Sequence, residues 1–164
     1  EQSCELRPLL GNHEEMMRIV LAEQAGPSDW LRYGGVATLD SYGFAGDLAV
    51  IPESHRDFLA RCLDFYEAED HFFVHGNYLP DVPLAELDPE VLRWRSLIES
   101  TPTAHQNGKV AIVGHTPDKS GAVLDLGYLM CIDTFCFGGK WLTALEVVSG
   151  IIWQANQRGE LRHD

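Results

Sequence analysis

Four side chains stand where apolar segments run into turns and could hold a metal ion or move a proton: Asn12, His13, His75 and His115. Asn12 and His13 belong to Leu9-Leu10-Gly11-Asn12-His13-Glu14, His75 closes Phe72-Phe73-Val74-His75-Gly76, and His115 closes Val110-Ala111-Ile112-Val113-Gly114-His115-Thr116-Pro117. An amide oxygen and two imidazoles suit a borderline divalent ion such as Mn, Fe, Ni, Co or Zn. All of these donors are neutral, whereas a hydrolytic centre also wants carboxylates to hold the cation. Asp133, after the apolar run Leu129 to Ile132, is the best internal carboxylate; beside Thr134 it reads equally well as a turn-forming Asx residue. Taken singly, Asn12 also reads as a cap on a surface helix, and His75 or His115 as a turn or core histidine.

The elements that would position these groups are legible from periodicity. Residues 14–22 are strong helix formers with acids in the first turn, and the breaker pair Gly26-Pro27 should end that helix. Residues 30–43 mix aromatics with glycine and suit a packed loop. Pro52 starts a second helical pattern in which Phe58, Leu59, Cys62, Leu63 and Phe65 recur at spacings of three and four, as core contacts do. Residues 70–77 read as a buried strand, and Asp88 with Pro89 opens a short helix carrying Trp94 and Arg95. A strand over 109–113 and four more, at 122–126, 128–133, 141–148 and 151–155, follow between glycine turns. The expectation is one α/β body without a domain boundary, its strand ends gathered along one crevice.

Composition narrows the function. The 164 residues carry 25 acids against 12 basic residues, a formal net charge of −13, and 45% apolar residues. A chain so acidic repels a phosphate backbone, which excludes nucleic-acid binding through a basic surface and requires a local device for any phosphorylated substrate. Cys4, Cys62, Cys131 and Cys136 lack regular spacing and read as reduced thiols in a cytoplasmic protein. No stretch reads as a signal peptide or a membrane span.

In order, Leu10-Gly11-Asn12-His13-Glu14, Phe73-Val74-His75-Gly76, Val113-Gly114-His115-Thr116-Pro117, Ile132-Asp133-Thr134 and Phe137-Gly138-Gly139-Lys140-Trp141-Leu142-Thr143-Ala144-Leu145 resemble the motifs of the metallophosphoesterase (calcineurin-like) superfamily. The branch they are similar to is that of bacterial serine/threonine phosphoprotein phosphatases and symmetrical dinucleoside-tetraphosphatases. The resemblance implies an α/β fold, the C-terminal portion of a layered β-sandwich flanked by helices. It implies two divalent metal ions, manganese among the candidates, with Asn12, His75 and His115 as ligands of the second ion. It implies His13 as proton donor to the leaving oxygen and Arg95, or else Arg93, as the phosphate contact. Hydrolysis would follow direct attack by a metal-bridging hydroxide, with no phosphoenzyme.

This sequence departs from the family at its start. The Gly-Asp-x-His-Gly and Gly-Asp-x-x-Asp-Arg-Gly motifs that precede Gly-Asn-His-Glu are absent, and with them the first-metal ligands, the bridging Asp and one Arg. Residues 1–164 therefore read as a partial metallophosphoesterase domain without its N-terminal βαβ segment, nearly inactive alone. Such a chain is expected to expose apolar sheet surface and to need a complementing N-terminal segment or partner chain. Asn77 stands where glycine is common. The implied substrate is a phosphoprotein or a small phosphoester. A dinucleoside tetraphosphate, stacked on Trp30, Tyr33, Tyr42 or Trp94, is the alternative, and a noncatalytic interaction module with this fold is a third reading.

Overall fold

The computed structural model describes residues 5–163. The chain divides into two compact units, Glu1–Leu63 and Asp64–Asp164. Among the described residues no helix is long and apolar enough to cross a membrane. Cys62, Cys131 and Cys136 are free thiols; Cys4 lies outside the described residues.

The first unit is helical. Pro8 to Leu10 pair with Leu63 as a short parallel bridge, the Leu10 N–H donating to the Leu63 carbonyl at 2.8 Å. Helix α1 (Asn12–Leu21) starts from extended Gly11, and the Glu14 carboxylate accepts from the Gly11 N–H at 3.1 Å, which satisfies one of the donors a helix start leaves without a partner. Met16, Met17 and Val20 form its buried stripe. The helix ends before the Gly26-Pro27 breaker, with Glu23 in a left-handed conformation.

Residues 30–43 are not the packed loop that their glycines suggest. Helix α2 (Ser28–Trp30) continues through a wide turn, Leu31–Gly35, into α3 (Val36–Ser41). Tyr33, at φ −105, and Gly34, at φ +108, leave helical geometry and kink the chain between two helices, which are anchored on either side by buried Trp30 and Leu39. In α4 (Glu53–Ala60) Leu59 is buried, but Phe58 is 43% exposed and is not the core contact its spacing suggests. Helical spacing places it on a groove wall with Tyr42, Ser54, His55 and Arg61.

The second unit is built on a mixed five-stranded sheet ordered β1 (Phe65–Glu67), β2 (His71–Val74), β3 (Val110–Val113), β5 (Leu129–Cys131) and β4 (Leu124–Asp125). The three inner strands are parallel; the two edge strands are antiparallel to their neighbours. Register places Phe72, Ala111 and Leu129 in one row, and Val113 opposite Cys131 in the next, on one face of the sheet. These residues, with Val74, are the centre of the core, covered by Tyr78, Leu84, Leu87, Leu92 and Leu97. Aromatic and β-branched residues suit such positions because they fill a pleated surface that is buried. The expected strands in the tail are present: besides β4 and β5, β6 (Leu142–Glu146) pairs antiparallel with β7 (Ile151–Ala155) as a separate two-stranded sheet. The chain thus has the mixed α/β fold expected of it.

Tyr78 carries a pH-dependent part of this core. Its ring meets Phe72 edge-on at 5.1 Å and its hydroxyl donates to the Thr103 carbonyl at 2.8 Å. Burial, with the neighbouring Tyr128, pushes its pKa from 10.0 up to about 12. The unfolded chain therefore ionises first, so the contribution of Tyr78 is whole below pH 10 and is lost as pH rises toward about 12. Urea midpoints for wild type and Tyr78→Phe across that interval should converge as pH rises; parallel curves would contradict this.

Candidate functional site

In the second unit, the parallel inner strands end side by side. His75 follows β2, Gly114 and His115 follow β3, and Ile132 and Asp133 follow β5. The ladder runs past the strand ends: the Gly114 N–H donates to the His75 carbonyl and the Ile132 N–H to the Val113 carbonyl, both at 3.0 Å. This brings the two imidazoles together, with ring centroids 5.2 Å apart and planes inclined by 58°. Both rings are half-buried.

The backbone at these ends is unusual in two places. His115 has φ +60, and the Thr116 N–H donates to the Gly114 carbonyl at 2.6 Å, which makes a tight left-handed turn centred on the histidine. A residue with a Cβ held there is strained by about 1–3 kcal/mol, and such strain clusters at functional sites. After His75, Gly76 packs directly against the end of helix α5 (Pro89–Arg93), its N–H donating to the Leu92 carbonyl at 2.6 Å. A Cβ there would lie 3.1 Å from the backbone of Val91, Leu92 and Arg93, a tight contact that glycine avoids.

Asn77, next along, is a support for this turn. It is buried, its amide donates to the Ser96 and Ser100 carbonyls at 3.3 and 2.8 Å, and its oxygen accepts from the Tyr78 N–H. The departure from glycine thus ties the His75 turn to the loop after α5. As expected, the Asp88 side chain caps α5, accepting from the Glu90 N–H at 2.9 Å; Trp94 and Arg95 follow the helix instead of lying within it.

The two arginines differ in availability. Arg93 donates through Nε and a terminal nitrogen to Asp64, at 2.8 and 2.5 Å, and is committed to that ion pair. Asp64 sits just before β1, and nothing in the sequence marks it as the partner. Arg95 makes no ion pair among the described residues and lines a cleft of about 510 Å³ with Asp88, Glu90, Trp94 and Glu99. Asp133 takes the turn-forming alternative: its carboxylate accepts from the Phe135 N–H at 3.2 Å. Thr134 beside it is buried and donates to the Trp141 carbonyl at 2.6 Å.

Asn12 and His13 occupy the first turn of α1, in the first unit. Asn12 is buried and His13 is exposed. Gly34 lies beside His13, where a Cβ would make ordinary contact with the imidazole Nδ1 at 3.9 Å.

Whether these residues fit a metal is decided by the donor chemistry. His75 and His115, as neighbouring imidazoles, suit one borderline divalent ion in part. Among the described residues no group of three or more His, Cys, Asp or Glu side chains is placed to hold a metal ion.

No protein-family model and no curated protein matches the sequence. What the fold and the strand ends define is a mixed α/β architecture with paired imidazoles at the carboxyl edge of its sheet. A solved structure shares the fold: the crystal structure of a candidate diadenosine tetraphosphatase superposes with a TM-score of 0.62 at 16% sequence identity, over 91% of this chain and 67% of that one. At that identity the likeness establishes the fold.

Proposed function

We propose that this chain is part of a metal-dependent phosphoester hydrolase acting on phosphomonoesters, with a serine/threonine phosphoprotein as its substrate class. The observation that carries this reading is the pair of imidazoles at adjacent parallel strand ends, one of them in a strained left-handed turn. The motif resemblance and the shared fold support it. In this reading His75 and His115 hold one divalent cation. When bound, such an ion supplies positive charge to the phosphoryl oxygens and lowers the pKa of water. His13, exposed at the start of α1, protonates the departing oxygen. Arg95, which has no ion-pair partner among the described residues, holds the phosphate.

The incomplete donor set implies a complementing segment or chain that brings carboxylates. Exposed apolar surface on the small sheet supports this. Leu142, Ala144, Trp153 and Ile151 share one face of the β6–β7 pair, and Leu142 and Trp153 are 67% and 50% exposed. Residues 1–164 alone are accordingly nearly inactive toward an aryl phosphate, and robust metal-dependent turnover by that chain would contradict this.

The charge around Arg95 favours a phosphoprotein. Three carboxylates, Asp88, Glu90 and Glu99, share its cleft, which suits a single phosphate flanked by basic side chains and disfavours a polyphosphate. The second reading, a dinucleoside-tetraphosphate hydrolase, is supported by the description of the structural neighbour. Product analysis with a basic phosphoserine peptide and with diadenosine tetraphosphate separates them. Phosphate release from the peptide alone supports the first, and cleavage of the dinucleotide alone overturns it. The third reading, a noncatalytic module, would require that neither substrate is cleaved when the complementing segment is present.

A further inference from the structure

Cys131 closes β5 and is 3% exposed. Its Sγ lies 3.6 Å from the Gly114 carbonyl oxygen and 3.4 Å from that of Thr116. These carbonyls belong to the residues before and after His115, the residue held at φ +60. A strained turn persists only where its surroundings over-determine it. Three contacts do so here: the Thr116 N–H to the Gly114 carbonyl, the Leu97 N–H to Thr116 Oγ1 at 2.8 Å, and the thiol between the two carbonyls.

Packing alone does not call for sulfur at this position. Cys131 lies opposite Val113 in the core row, and a valine would fill the same space. What valine lacks is a donor. The thiol S–H is weak, but it stands where no water reaches, and removing it would leave the flanking carbonyls one donor short.

We propose that Cys131 is a positioning residue for His115: its thiol holds the carbonyls of the residues before and after the histidine and thereby keeps the imidazole facing His75. The inference rests on the proposed metal-binding role of His75 and His115. Partners that orient a ligand histidine are worth about 10–100-fold in metal affinity when removed. Serine, whose hydroxyl donates from nearly the same place, should retain most of that effect; alanine and valine should not.

The test is a Co(II) titration of the full-length protein followed by visible absorption, for wild type, Cys131→Ser, Cys131→Val, Cys131→Ala and His115→Ala, with melting temperatures alongside. Expected is a loss of about tenfold or more in Co(II) affinity for Cys131→Val, recovered by Cys131→Ser, with no matching order in melting temperature. The valine variant preserves core volume and answers the question if the alanine variant fails to fold. Wild-type affinity in Cys131→Val, or equal losses in the serine and valine variants, overturns the inference. Unchanged Co(II) binding in His115→Ala would instead sink the metal role on which it rests. The backbone conformation of His115, read from its amide–Hα coupling by NMR, then decides for Cys131: a left-handed turn kept in Cys131→Val overturns the positioning role, and its loss supports it.

Discussion

His13→Ala in the full-length protein should slow phosphate release from a phosphoserine peptide by about 10²–10⁴-fold, the range a positioned general acid supplies. The same substitution should slow hydrolysis of an aryl phosphate far less. A serine alkoxide is a poor leaving group and needs a proton as the P–O bond breaks, whereas an aryl oxide departs without one. His13 is on the first turn of α1 and exposed, as a group that reaches substrate must be. The comparison is one of kcat/KM for the two substrates in the two proteins. Equal losses would mean that His13 orients substrate or supports the fold and does not donate the proton.

Phe72→Ala is expected to be the most destabilising single change in the second unit, at about 3–5 kcal/mol, as for other fully buried aromatics cut back to alanine. Phe72 has no exposed surface, lies in the central row of the sheet, and packs edge-on against Tyr78 and, at 5.2 Å, against His105. His105 is itself fixed, Nε2 donating to the Val82 carbonyl while Nδ1 accepts from the Asn107 N–H. The resulting cavity would lie under β2, the strand that delivers His75, so metal binding should weaken along with stability. Phe58→Ala, on the exposed face of α4, supplies the contrast and should cost well under half as much. Urea denaturation of the three proteins measures both, and a loss below about 1 kcal/mol for Phe72→Ala would contradict the assigned core.

What was legible in the sequence follows from how local each feature is. The strands of the second unit stand out because they are written as short apolar runs between glycine turns; β2, β3, β5, β6 and β7 all fall inside the ranges that pattern marks. The short helix after Asp88 is legible for a similar reason, a cap and a proline in adjacent positions. The pair of short helices over residues 28–41 is not, because its glycines look like loop punctuation throughout, whereas only Tyr33 and Gly34 leave helical geometry. Phe58 misleads in the opposite sense: period alone cannot tell the core face of α4 from a groove wall.

At the site, the histidines at strand ends are visible as residues, but their supports are not. Asp64 neutralises Arg93 across a long stretch of sequence, and Cys131 reaches the His115 turn only through the pairing of β3 with β5. Asn77 looks like a blemish in a glycine turn until its amide is seen bridging to Ser96 and Ser100. Partners of this kind are selected by tertiary geometry, so spacing carries no trace of them.

The central claim, that the paired histidines at the sheet edge serve metal-dependent phosphoester hydrolysis, is tested most directly by phosphate release from a phosphoserine peptide. The full-length protein is stripped with chelator and resupplied with Mn(II), in wild type and in His75→Ala. The predicted result is release that Mn(II) restores in wild type and that falls by about 100-fold or more in His75→Ala, as the loss of a metal ligand requires. Release that ignores the metal, or that survives in His75→Ala at the wild-type rate, would contradict the claim.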